Sequence, residues 1–101
     1  MKIAVAYDNG KVAQDFENTH AYKLYTVEDG VLKAARLVGI NGYGESALSG
    51  FLKHYDIDAL ICGETTQEVL DILLEKKIKL YSDVQGDANE AVKKAASGEL
   101  E

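Results

Sequence analysis

Apolar positions follow two rhythms along this chain, and the change between them falls at Glu45. The run Ile3-Ala4-Val5-Ala6-Tyr7 is continuous and stops at Asp8-Asn9-Gly10, which predicts a buried strand ending in a turn. In residues 21–27 the side chains alternate, with Tyr22, Leu24 and Thr26 on one face and Tyr25 and Val27 on the other. Glu28-Asp29-Gly30 then turns the chain into residues 31–38, so the two segments are expected to form a β-hairpin. Three glycines in residues 39–44 suit a connection rather than a strand.

After Glu45 the period lengthens. Ala47, Leu48, Phe51, Leu52 and Tyr55 share one face of a helix. Residues 58–62 form a second buried strand, ended by Gly63. Thr65 and Glu68 have capping-box spacing ahead of a helix burying Val69, Leu70, Leu73 and Leu74. Residues 78–81 make a third core strand, and Asp87 with Glu90 repeat the capping signal. The last helix would lie close on the sheet through Ala88, Ala91, Val92, Ala95 and Ala96. Alternating strands and helices imply parallel neighbours at 3–7, 59–62 and 78–81, with the hairpin as the antiparallel part. The expected fold is α/β: one mixed five-stranded sheet flanked by helices.

At 101 residues the chain is the length of one domain, 1–101. A hydrophobic share of 47% beside 28% charged residues is that of a globular chain and excludes wholesale disorder. The net charge of −6 has the wrong sign for gripping phosphates, so no nucleic-acid partner is expected. One cysteine forms no internal disulfide, and no apolar run is long enough for a membrane helix. With no signal segment ahead of the first strand, a cytoplasmic, reducing location is expected.

Several short motifs occur together in order. They are Met1-Lys2-Ile3-Ala4-Val5-Ala6-Tyr7-Asp8-Asn9-Gly10, the stretch Asp15-Phe16 through Tyr25, Asn41-Gly42-Tyr43-Gly44, Leu60-Ile61-Cys62-Gly63, Gly86-Asp87-Ala88-Asn89-Glu90-Ala91-Val92, and Ser97-Gly98-Glu99-Leu100. In this series the chain resembles the dinitrogenase iron-molybdenum cofactor biosynthesis family, the NifX-like domain, over essentially its whole length. The resemblance implies a ribonuclease H-like fold. It also implies a non-catalytic role in binding or carrying an iron-molybdenum or iron-sulfur cluster. Where the family often has His, Gly, His and Gly, this chain has Asp15, Glu17, Tyr43 and Glu64. Those residues lack soft or imidazole donors, and three are acids, so weak cluster binding is expected.

Three groups of residues could carry chemistry. Cys62 is the one soft ligand; it is either a thiolate favoured by a following helix start or a small buried hydrophobe. Alone it cannot hold a cluster, which would then need exogenous ligands or a second protomer. His20, displaced from the family's own histidine, is a possible imidazole ligand, and Tyr43 between two glycines a candidate for exposed recognition. His54 reads as a polar helix end. Asp8, Glu64 and Asp83 each follow a core strand, so adjacent strands about 4.8 Å apart would line their carboxylates along one sheet edge. Such a trio suits Mg²⁺ or Ca²⁺, or is simply turn chemistry. It defines one alternative, a divalent-metal hydrolase or nuclease. A protein-interaction domain docking through Tyr43 is another. No G-x-S-x-G, Walker A, H-E-x-x-H or C-x-x-C motif supports an enzyme.

Overall fold

In the computed structural model, which describes residues 1–14, 21–39 and 44–98 (side chains of 44–48 excepted), a mixed sheet carries helices on both faces. The strands are β1 (Lys2–Asp8), β2 (Lys11–Val12), β3 (Ala21–Glu28), β4 (Val31–Gly39), β5 (Ala59–Ile61) and β6 (Lys79–Tyr81). The helices are α1 (Gly44–His54), α2 (Gln67–Glu75) and α3 (Ala88–Ala96). Five strands run in the order β4-β3-β1-β5-β6, and β2 pairs with the end of β1, making six in all. The expected parallel trio is present: Ala4 pairs with Leu60 and Leu60 with Leu80. So is the antiparallel hairpin, with Tyr25 opposite Ala35.

The sixth strand corrects the expected count of five. Asn9 and Gly10 both have positive φ, 47° and 89°, as a type I′ hairpin turn requires. The chain therefore folds straight back, placing Tyr7 opposite Val12 and Asp8 opposite Lys11. Asp29 and Gly30, at 53° and 78°, close the β3–β4 hairpin in the same way.

Strand alternation divides the interior into two apolar layers. On one side Ala4, Ala6, Tyr22, Leu24 and Leu60 meet Phe51 and Leu52 of α1 and Val69 and Leu73 of α2. On the other, Ile3, Val5, Tyr25, Val27, Ala59 and Ile61 meet Ala88, Ala91, Val92 and Ala95 of α3. The small side chains of α3 let it sit close on the sheet, as their spacing predicts.

Helix α2 differs from expectation at two points. Its N-cap is Thr66, whose hydroxyl accepts from the Val69 amide at 3.3 Å, not Thr65. Its buried residues are Val69 and Leu73; Leu70 and Ile72 flank them half-buried, and Leu74 is 66% exposed. At 100° per residue, a face centred on Val69 and Leu73 takes in Ile72 and turns Leu74 outward. Helix α3 starts as expected, with the Asp87 carboxylate accepting from the Glu90 amide at 3.0 Å.

Candidate functional site

The parallel strands β1, β5 and β6 end at one edge of the sheet, where open α/β sheets present their ligand sites. The segment after β2 crosses this edge and ties its loops together. The Ala13 amide donates to Ala6 O at 2.7 Å, and the Gly63 amide donates to Ala13 O at 3.1 Å. Gln14 fastens the next loop: its Nε2 donates to Val12 O at 3.0 Å and to Val84 O at 2.9 Å. Its own carbonyl accepts from the Glu64 amide at 3.1 Å.

Gly63 is required here for space. A Cβ on it would lie 2.7 Å from Gln14 Cα and 2.8 Å from Gln14 Oε1. Backbone therefore presses on backbone, and only a residue without a side chain fits.

Cys62 follows β5 and is fully buried in the layer shared with α1 and α2. Its amide donates to Tyr81 O at 2.9 Å, which extends the β5–β6 ladder by one residue. Burial, and then the charge of Asp83, push its thiol up to about 12. That is opposite to the shift a helix start would give, because the thiol faces the apolar layer. At neutral pH it is a protonated, inaccessible group and a poor metal ligand.

The carboxylates do not converge. Asp8, Glu64 and Asp83 are all exposed, and the Ala13-Gln14 crossing lies between the end of β1 and the Gly63-Glu64 loop. Asp83 takes a left-handed turn, φ 58°, with its amide donating to Gly63 O at 2.8 Å. Among the described residues, no group of three His, Cys, Asp or Glu side chains is placed to hold a metal ion. The alternative of a divalent-metal hydrolase or nuclease draws no support from the described residues. His20 and Tyr43 lie outside the described residues.

Beside β6 the edge opens into a cavity of about 460 Å³, lined by Tyr81, Asp83, Gln85, Asp87, Glu90 and Lys94 among others. Asp87 is already engaged as the α3 cap. Among the described residues, Thr65 Oγ1 is a buried side-chain oxygen with no hydrogen-bond partner. On the α3 side, Tyr25 donates through its hydroxyl to Asn89 Oδ1 at 2.6 Å. Burial first, then Tyr7 and Asp87, push that phenol up to about 12.

The model of the dinitrogenase iron-molybdenum cofactor family matches residues 1–98, nearly the whole chain. The chain belongs to this family. Solved structures share its fold. The protein PH0822 has a TM-score of 0.88 at 18% identity, over 100% of this chain and 95% of that one. A candidate dinitrogenase from Methanocaldococcus jannaschii has 0.79 at 24%, over 100% and 92%. The apo form of the orange protein from Desulfovibrio gigas has 0.81 at 21%, over 99% and 90%. No protein of curated function matches the chain.

Of the residues this family member uses to build the edge, Gln14 and Thr66 carry no motif. Gln14 acts through contacts distant in sequence, as with Val84, which no local pattern displays. The Asn9-Gly10 pair is a strong hairpin signal and does announce β2. No described helix is long and apolar enough to cross a membrane.

Proposed function

We propose that this protein is a small carrier or binding module whose cargo is an iron-molybdenum or iron-sulfur cluster, with no catalysis of its own. The observation that carries the reading is the family match along residues 1–98. On this reading the domain spans 1–101 and works in the cytoplasm, and His20 and Tyr43 are the residues proposed to meet the cargo, while the buried Cys62 packs the layer beneath α1 and α2. The ribonuclease H-like assignment belongs to the same reading. It draws support from the strand order, in which β3 runs against the other four strands of the main path.

The chemistry of the described donors limits how the cargo is held. A neutral, buried thiol and scattered acids do not replace the three or four ligands a cluster takes from a protein. The cluster keeps its own ligands, and the protein grips its surface. The exposed carboxylates of Glu64 and Asp83 repel an anionic surface unless a divalent cation lies between.

The test is a titration of reconstituted cluster followed by visible absorption, with and without Mg²⁺. Binding is expected to be weak in metal-free buffer, tighter with Mg²⁺ and unchanged in Cys62→Ala. Micromolar binding in metal-free buffer that disappears in Cys62→Ala would overturn the surface-grip reading. Binding under neither condition would overturn the carrier reading itself.

A further inference from the structure

The outer flank of the sheet gathers basic side chains. Strand β4 is the last in the sheet order and pairs only with β3 among the described residues. Seven of its nine residues, including Lys33, Ala34, Ala35, Arg36 and Leu37, are exposed. Among the described residues no strand covers its outer edge, roughly 30 Å long, whose outward amide and carbonyl groups are a template for another strand. Val31, 53% exposed, and Leu37, 60% exposed, add apolar surface to it.

The charges say which strand fits. Strand β4 carries Lys33 and Arg36 and no acid, in a chain whose net charge is −6. Beside it lies a shallow groove of about 390 Å³, lined by Lys23, Lys33, Lys93, Asn89, Tyr25 and Ala35 among others. Lys33 is the extra residue of a bulge, because Thr26 pairs with Ala34 and Val27 with Leu32. Lys23 lies 5.4 Å from the centre of the Tyr25 ring, which holds its ammonium over the strand pair. Among the described residues, the one ion pair involving these lysines is Lys93 with Glu90, at 3.8 Å and largely exposed. Three cations thus face the groove with one acid to offset them.

A second copy of the chain would bring a second Lys33 and Arg36 to the same seam. The bulge and the charges that guard this edge against self-pairing leave it open to a strand of opposite sign. We propose that β4 is a docking edge for an extended acidic segment of a partner protein. That segment adds as a further strand and sets alternate carboxylates beside Lys33, Lys23 and Lys93. The small side chains of Ala34 and Ala35 leave room for them to reach across.

The probe is a fluorescein-labelled ten-residue peptide alternating Glu and Thr, titrated into the full chain and read by anisotropy. Amide hydrogen exchange locates the contact. The acidic peptide is expected to bind and to slow exchange in β4, with affinity falling as salt is raised. A Lys-for-Glu version should not bind. Lys33→Glu and Lys93→Glu, both at exposed positions, should each weaken the acidic peptide at least tenfold with the circular dichroism spectrum unchanged. Absence of binding, equal binding of both peptides, or indifference to both charge reversals would overturn the proposal. So would protection confined to other strands, or self-association through β4.

Discussion

Replacing Gly63 with alanine tests the architecture of the sheet edge most directly. The added methyl would stand 2.7 Å from Gln14 Cα, 2.8 Å from Gln14 Oε1 and 2.9 Å from Gln14 Cδ. An ordinary carbon–carbon contact is about 3.5 to 4.0 Å, so the neighbours must separate by close to an ångström. The side-chain atoms could swing away, but the Cα could not. It is held by the hydrogen bonds that the Gly63 amide donates to Ala13 O and the Glu64 amide to Gln14 O, both 3.1 Å. Overpacking of this kind costs about 1 to 3 kcal/mol. With a urea m-value of about 1 to 1.5 kcal/mol/M, the low end of the usual range, the midpoint should drop by roughly 0.7 to 3 M.

A second substitution separates backbone from side-chain crowding. Gln14→Ala removes Oε1 and Cδ but leaves Cα, so it should relieve only part of the Gly63→Ala defect. By itself it forfeits the hydrogen bonds from Nε2 to Val12 O and Val84 O and should cost about 1 to 2 kcal/mol. Urea unfolding of the two single variants and the double variant gives the coupling energy. A Gly63→Ala midpoint indistinguishable from the parent would refute the close-contact argument. Full additivity would refute the role given to the Gln14 side chain.

Other outcomes follow from the same packing. Leu73→Ala, at a fully buried position, should cost about 2 to 5 kcal/mol, while Leu74→Ala, two-thirds exposed, should stay within about 0.5; equal urea midpoints would show that the α2 face is misassigned. Thr65→Val should be neutral or slightly stabilising, since the buried hydroxyl has no hydrogen-bond partner among the described residues; a loss above about 1 kcal/mol would mean that it has a partner. The Cys62 thiol is raised from 9.0 to about 12 in the folded chain, so the native state holds its proton longer than the unfolded state does. The stability it contributes is complete below pH 9 and is lost as pH rises toward 12. Urea midpoints from pH 7 to 10 should therefore fall above 9 in the parent and fall less in Cys62→Ala, and parallel curves would contradict the shift.

Much of this fold is legible in the residues because its signals are local. Period-2 alternation in 21–27 gives the two faces of β3, and Tyr22 and Tyr25 do enter opposite layers. The alanines of α3 and its Asp87 cap announce a close-packed helix in the expected register. Errors arose where two neighbouring residues offered the same chemistry. Thr65 and Thr66 are both capping types, and tertiary packing selects Thr66. Leu70, Leu73 and Leu74 are all apolar, and only the position of the sheet decides that Leu73 is buried, Leu70 half-buried and Leu74 exposed. The site was less legible for the same reason. Cys62 follows a strand and precedes a helix in the manner of an activated thiol, yet its orientation into the apolar layer reverses its acidity. Asp8, Glu64 and Asp83 do follow adjacent strands, but the Ala13-Gln14 crossing that separates the first from the second is a long-range contact.

If the protein carries an anionic cluster, as proposed, its charge distribution limits how that cargo is held. Three exposed acids flank the parallel edge, and Lys23, Lys33 and Lys93 line a groove on the β3–β4 flank. A cargo approaching the edge unaided meets charge of its own sign, whereas a partner strand approaching the flank meets the opposite sign. The two surfaces are therefore suited to different encounters. If an acidic strand docks on β4, it neutralises the lysine flank and leaves the edge acids unopposed, so cargo affinity should fall or stay constant and never rise by electrostatics alone. Measuring the cluster titration with and without saturating Glu-Thr peptide decides the point. Tighter cluster binding in the presence of the peptide would show a coupling that this charge distribution does not contain.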